Sequence, residues 1–185
     1  VLIFGRNKDS ARALNGLFAR GAVHKRYVAL VRGYAPDERT IDHALKERLD
    51  RVTDGQAQRD KHPQEAVTHV RCLTQIELPI PVGKYPTTRY SLVEAIPITG
   101  RRHQIRRHLA HISHPIIGDT THGRGEHNRF FRARFNANRL LLASTDLRLP
   151  HPITGAPLHL HAPLASDMLA VCQALFGDQC PTTLT

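Results

Sequence analysis

Basic side chains concentrate in one short segment whose composition suits the binding of an anion. The sequence RRHQIRRHLAHISH, Arg101–His114, carries four arginines and four histidines. We predict a helix over Arg101–Ile112 with Thr99 as its N-cap. Cations at the start of a helix are disfavoured by the helix dipole. We therefore expect an anionic partner close to this segment.

Within that segment, Arg106 is the residue for which an anionic partner matters most. By helical spacing, an apolar stripe is formed by Ile105, Leu109 and Ile112. Arg106 flanks the stripe and is therefore expected to be half-buried, and burying its charge without a partner would be costly. The sequence thus predicts that Arg106 pairs with a carboxylate or a phosphate. For Arg107 and His111, which point away from the stripe, a solvated basic face is the alternative interpretation.

A second group of candidates lies in HKRYVALVRG, His24–Gly33. Residues 26–32 are apolar on both faces in the middle, which predicts a central strand of a sheet. Lys25 and Arg26 enter this strand, and Tyr27 stands near its beginning. A tyrosine in that position is either part of the core or part of a reactive site, and composition alone does not decide between them.

The overall composition favours a polyanionic partner. The 185 residues include 26 basic and 16 acidic side chains, which gives a formal charge of +10. Hydrophobic residues make up 41% of the chain, enough for a folded core. A basic surface gains affinity for nucleic acid when it releases counterions from phosphates. Tryptophan is absent and aromatic residues total 5%, so structured nucleic acid is favoured over long single strands.

The sequence also favours one domain in a reducing compartment. It has no apolar run of about 18 residues and no signal-peptide pattern, so neither a membrane partner nor export is indicated. Its three cysteines are an odd number with no Cys-x-x-Cys pair, which argues against a disulfide framework and favours the reducing cytoplasm. No boundary divides residues 1–185, and we expect a monomer.

Hydrophobic periodicity predicts an α+β fold with a mainly antiparallel, mixed sheet flanked by helices and loops. We predict a buried strand over Val1–Arg6, a helix capped by Asp9, and a polar surface loop over Lys46–Gln64. The remaining elements are strands over residues 40–45, 68–78, 89–96, 139–149 and 157–161 and helices over residues 128–134 and 166–176.

Three motifs resemble those of one enzyme family. The segments KRYVALVRG (Lys25–Gly33), TGRRHQIRRHLAH (Thr99–His111) and HPIIGD (His114–Asp119) are similar to motifs of the RluA-type RNA pseudouridine synthases, in the same order. The resemblance implies a pseudouridine synthase catalytic domain that isomerises a uridine in RNA, here tRNA, without a cofactor. The target base is flipped out and attacked by an aspartate. By motif match, Tyr27 packs beside the base and Arg106 pairs with the aspartate.

The aspartate itself is expected to lie outside this sequence. In the family it belongs to a His-Arg-Leu-Asp loop that precedes the strand corresponding to Val1–Arg6, so the fragment alone is expected to be inactive. Asp50, in Arg48-Leu49-Asp50-Arg51, resembles the loop but follows the Tyr27 motif and lacks the histidine. Asp119 follows a glycine after the predicted helix, which suggests a structural cap.

The resemblance and the charge pattern together predict how RNA is contacted. The residues expected to contact phosphates are Lys25, Arg26, Arg101, Arg102, His103 and Arg107. A non-catalytic RNA-binding module is the alternative function. The thirteen histidines also raise the question of a metal, but no His-Glu-x-x-His or paired cysteines are present, and we expect none.

Overall fold

Strand β1, His24–Arg32, lies in the middle of a six-stranded sheet. In the computed structural model, which describes residues 1–46 and 62–181, the strand order is β2-β3-β4-β1-β5-β6. The other strands are β2 Glu38–Asp42, β3 Val67–Leu78, β4 Thr88–Pro97, β5 Leu142–Pro150 and β6 Pro157–His161. All pairings between these strands are antiparallel, so the predicted central strand and mainly antiparallel sheet are confirmed.

Four helices cover parts of the two faces of the sheet. They are α1 Lys8–Ala19, α2 Gln104–His111, α3 Gly125–Phe135 and α4 Ser166–Phe176. Alternate residues of β1 point to opposite faces. Ala29 and Val31 join a core cluster with Ile105 and Leu109 of α2, whereas Val28 joins a cluster with residues of α4. No helix in the described part of the chain combines the length and apolar character that a membrane span requires.

Two predictions for the N-terminal region are wrong. Residues 1–5 form no strand with the described residues, and half-buried Val1 and Ile3 alternate with exposed Leu2 and Phe4. Helix α1 is capped by Asn7 rather than by Asp9. The Asn7 side chain accepts the backbone N–H of Ser10, and the Ser10 hydroxyl accepts the backbone N–H of Asn7, which is a capping box.

Candidate functional site

Helix α2 begins at Gln104 rather than at Arg101, and Thr99 is not its N-cap. The residue at the N-cap position is His103, whose backbone is left-handed with φ 54°. The buried Gln104 side chain fixes the segment before it, because its Oε1 accepts from the Arg101 N–H at 2.9 Å and from the Thr99 hydroxyl at 2.7 Å. Its Nε2 donates to Val67 and Thr68 of β3. Gln104 therefore anchors this basic loop to the sheet.

Arg106 is half-buried, as predicted, but its partner lies within the chain. Its Nε donates to Asp119 Oδ2 at 2.8 Å and its Nη2 to Asp119 Oδ1 at 2.7 Å. The exposed fractions of the two side chains are 17% and 0%. A two-point pair of this kind holds the plane of the guanidinium in a fixed direction. Within the described part of the chain, no acceptor contacts Nη1, which can donate to a further anion.

Asp119 is itself held by the loop that follows α2. Its Oδ1 accepts the backbone N–H groups of Thr121 and His122. The predicted capping role of Asp119 is therefore confirmed, and the element that it caps is a turn. Burial raises the pKa of Asp119, but the hydrogen bonds from Arg106 and from these N–H groups outweigh it and lower the pKa to about 2. Asp119 therefore carries a full negative charge at neutral pH.

The backbone around Asp119 requires glycine at position 118. Gly118 has φ +82°, and a Cβ there would lie 1.9 Å from the carbonyl oxygen of Arg139. Asn128 of α3 clamps the same turn, since it accepts from the Gly118 N–H and donates to the Asp119 carbonyl. The Gly-Asp pair in HPIIGD indicates a tight turn in the sequence. The ion pair between Asp119 and Arg106 could not be predicted in the same way, because the two residues are 13 positions apart.

Tyr27 lies on the same face of the sheet as α2. Its ring packs against the core cluster that includes Ile105 and Leu109. Burial raises the pKa of Tyr27, and the nearby Ser144 side chain opposes this only in part. The phenol therefore stays protonated at neutral pH. The amino group of Val1 donates to the carbonyl of the same Ser144, so residue 1 lies close to Tyr27.

Five of the predicted phosphate-contacting residues gather around the start of α2. Lys25 Nζ lies 3.5 Å from the Thr99 carbonyl, and burial lowers its pKa. Arg101 donates to the Glu65 carbonyl at 3.0 Å. Arg102 and His103 are exposed, and Arg107 donates to the Lys46 carbonyl. These residues form a basic rim beside Arg106.

Protonation of His103 is disfavoured at this rim. Partial burial lowers the pKa of His103, and the positive charges of Arg106 and Arg102 lower it further. Its Nδ1 lies 3.4 Å from Nε2 of His122. At neutral pH His103 is therefore a neutral ring, which can accept or donate a hydrogen bond.

Arg26, the sixth predicted residue, lies on the opposite face of the sheet. Its Nε is 3.1 Å from Oε2 of Glu94 in β4, whose side chain is 7% exposed. Arg71 of β3 holds the other oxygen of Glu94, with Nε at 3.2 Å and Nη2 at 3.1 Å. Glu94 stands within the apolar stretch 92–96, which was a sequence signal for a buried ion pair.

The remaining candidates from the sequence are Asp50, the polar loop and the histidines. Asp50 and most of the predicted loop Lys46–Gln64 are outside the described residues. His108 is fully buried, where it contacts the Thr68 hydroxyl and the His43 carbonyl. Among residues 1–46 and 62–181, no three His, Cys, Asp or Glu side chains are grouped as a metal would require.

Comparison with known proteins gives consistent results. The profile of the family described as RNA pseudouridylate synthase matches residues 1–111. The tRNA pseudouridine synthase C of Pectobacterium carotovorum is 50% identical over 162 residues, which are 88% of this chain and 43% of the relative. The enzyme of the same name from Vibrio vulnificus is 47% identical over 185 residues, which are 100% of this chain and 74% of the relative.

A solved structure agrees with the sequence relatives. Human RNA Pseudouridylate Synthase Domain Containing 1 superimposes with a TM-score of 0.63 at 27% identity, covering 85% of this chain and 61% of that protein. The chain thus spans less than two thirds of that structure and less than half of the Pectobacterium relative. The family resemblance inferred from the three motifs is confirmed, and the chain belongs to the RNA pseudouridylate synthase family.

Proposed function

We propose that the protein containing this chain converts a uridine in tRNA to pseudouridine. The reaction breaks the glycosidic bond at N1 of the base and forms a bond from the same sugar carbon to C5. C5 loses its proton and N1 gains one, so the product is an isomer of uridine. Family membership and the names of the relatives support this activity. The observation that carries it is the half-buried Arg106, which is oriented by Asp119 and has one donor group to spare.

In this proposal Arg106 holds the nucleophilic aspartate of the family's His-Arg-Leu-Asp loop, which residues 1–185 do not contain. Two of the three guanidinium nitrogens are fixed by Asp119, and Nη1 is available to the second carboxylate. A nearby positive charge keeps a carboxylate ionised and therefore nucleophilic. Because Asp119 already fixes the orientation of Arg106, little conformational entropy is lost when Arg106 meets the nucleophilic aspartate.

Tyr27 is proposed to pack beside the flipped uracil. Its phenol stays protonated, so it supplies an aromatic surface and a hydrogen-bonding group rather than a base. Flipping a base out of its stack costs a few kcal/mol, and contact with an aromatic ring offsets part of that cost. The position of Val1 beside Ser144 brings the beginning of the described chain close to this ring.

The basic rim is proposed to contact the phosphates of the RNA. Lys25, Arg101, Arg102, His103 and Arg107 surround the start of α2, where Gln104 ties the loop to β3. Phosphate contacts position the RNA without reading its sequence. Arg26 was predicted as part of this set. We propose instead that it stabilises the sheet through Glu94, because the pair lies on the other face.

We further propose that the enzyme acts as a monomer in the cytoplasm. The three cysteines are free thiols, which is common for proteins in a reducing compartment. Size-exclusion chromatography with light scattering would test the monomer, and a dimer at micromolar concentration would contradict it.

The test is turnover by the full-length protein. Unmodified tRNA transcript is incubated with it in the presence of EDTA, and pseudouridine is detected by mass spectrometry after chemical labelling. We expect pseudouridine at one position. Residues 1–185 alone serve as the control and should bind tRNA without forming product. If the full-length protein binds tRNA but forms no pseudouridine, the alternative of a non-catalytic RNA-binding module is correct.

A further inference from the structure

A second basic cleft lies at the far end of α2 from Arg106. It consists of two adjoining hollows, each about 660 Å³, which share Arg32 and Tyr85 in their walls. Ser113, just beyond the last turn of α2, lines one of them. Five helical residues, 107–111, follow Arg106 before α2 ends, which corresponds to about 7.5 Å along the helix axis. The loop from Asp119 leads to the same cleft, because Arg124 lines its other hollow.

Two tyrosine rings are exposed at this cleft. Tyr34 is 43% exposed and Tyr85 is 52% exposed. The Arg89 guanidinium lies over the Tyr34 ring at 5.0 Å, and Lys84 Nζ lies over the Tyr85 ring at 5.3 Å. Exposed aromatic rings combined with cations are the surfaces on which unpaired bases stack. Although tyrosines number only four in the whole sequence, two of them meet here.

The cleft is also positively charged. No carboxylate among the described residues forms an ion pair with Arg32, Lys84 or Arg124. Two acidic side chains lie nearby. Glu77 is occupied by Arg89 and by the hydroxyl of Tyr34. The carboxylate of Glu126 lies against Gly83. Since neither acidic side chain pairs with them, Arg32, Lys84 and Arg124 remain available to an anion.

The floor of the cleft is buried and polar. His127 is buried there, and its Nδ1 lies 2.9 Å from the hydroxyl of Tyr90. Burial, reinforced by the charge of Arg32, lowers the pKa of His127 to about 4. The ring is therefore neutral at pH 7 and shares one hydrogen bond with the Tyr90 hydroxyl. Thr88, another lining residue, has a buried hydroxyl oxygen with no partner within the described ranges.

We propose that this cleft binds an unpaired nucleotide of the RNA substrate, at a site separate from the uridine that reacts. The base stacks on Tyr85, the more exposed of the two rings, and Arg32, Lys84 and Arg124 contact the adjoining phosphates. The polar floor offers hydrogen bonds to a base edge or a ribose hydroxyl. This inference rests on the proposed function, since it assigns a second contact to the same RNA.

The experiment compares variants of the full-length protein by their Kd for unmodified tRNA and by KM and kcat. Tyr85→Ala should raise Kd and KM about tenfold, which is the effect of removing the ring on which one base stacks. Its kcat should stay within about twofold, because the reacting groups are untouched. Tyr85→Phe keeps the ring and should bind normally. Phe18→Ala is the matched control, since Phe18 on α1 is 42% exposed.

A second measurement locates the contact directly. A short single-stranded RNA carrying a photoreactive uridine analogue is irradiated with the full-length protein, and the crosslinked peptides are identified by mass spectrometry. We expect crosslinks at Tyr85 or Tyr34, and we expect them to disappear when Tyr85→Ala is combined with Tyr34→Ala.

Unchanged tRNA affinity in Tyr85→Ala would overturn the inference, as would equally weakened binding in Tyr85→Phe and Tyr85→Ala. The proposed function can fail separately. In that case the full-length protein forms no pseudouridine, whereas the affinity comparison still reports on the cleft.

Discussion

The two faces of the sheet bury arginine–carboxylate pairs of different kinds. On the α2 face, Asp119 holds one arginine, Arg106, and leaves its Nη1 group available. On the opposite face, Glu94 is shared by Arg26 and Arg71, so both carboxylate oxygens are occupied. Burial and charge pairing therefore do not identify a functional arginine. The difference is that, among the described residues, Arg106 keeps a donor nitrogen without an acceptor, whereas both oxygens of Glu94 are taken.

Arg106→Ala in the full-length protein should have the largest effect on activity. The variant lacks the group proposed to hold the nucleophile, and turnover should fall by about a thousandfold or more. The affinity for tRNA should change little, because the basic rim is intact. Single-turnover assays with saturating enzyme would measure this decrease.

The matched control is Arg107→Ala on the same helix, whose guanidinium donates to the Lys46 carbonyl. It should retain kcat. If Arg106→Ala kept turnover within tenfold of the wild type, the proposed role of Arg106 would be wrong.

Glu94→Gln should instead affect stability. Removing the shared carboxylate takes away the charge that holds two arginines, one of them largely buried, and should lower the free energy of unfolding by about 3 kcal/mol. Urea denaturation would measure this change. The kcat of the folded enzyme should remain within about threefold of the wild type, since Glu94 faces away from α2.

Glu38→Gln is a suitable control because Glu38 is exposed and lies opposite Arg71 in the β2–β3 pairing. It should change stability by less than about 0.5 kcal/mol. A lower kcat in Glu94→Gln without lower stability would contradict the division between the two faces.

The Arg106–Asp119 pair should make stability depend on acid pH. The folded-state pKa of Asp119 is lowered to about 2, so its stabilising contribution is complete above about pH 4 and is lost as the pH falls towards 2. Asp119→Asn should therefore destabilise the protein by about 2 kcal/mol more at pH 5 than near pH 2. Urea unfolding at several pH values would show this. Asp9→Asn, at an exposed position on α1, is the matched control. A pH-independent effect of Asp119→Asn would argue against the ionised pair.

The sequence predicts the secondary structure around the site better than the contacts within it. Apolar patterns predict β1 as a central strand and place Ile105 and Leu109 in the core, because these patterns reflect burial directly. The N-terminus of α2 is predicted wrongly, because Gln104 contacts Val67 of a distant strand and so replaces a local cap. The partner of Arg106 is likewise set by a turn, whose path depends on Gly118 and on packing against Asn128.

The adjacent residues Arg26 and Tyr27 show most directly that the sequence predicts contacts poorly. Both belong to one motif, but the alternation of side chains along β1 directs them to opposite faces. Their proximity in sequence therefore does not imply a shared role.

The placement of Arg26 on the face opposite the basic rim predicts a difference in how tRNA binding depends on salt. This is the smallest of the expected effects. Removing one cation that touches a phosphate should reduce the slope of log K against log salt concentration by about 0.9. Arg101→Ala should show this reduction, because the exposed Arg101 belongs to the basic rim, and should weaken binding by about fivefold. Arg26→Ala should leave the slope unchanged even though it lowers stability, since the Arg26 side chain is held by Glu94 on the face opposite the basic rim. Equal slopes for the two variants would mean that RNA also contacts the Glu94 face, and the functional difference between the two faces would then disappear.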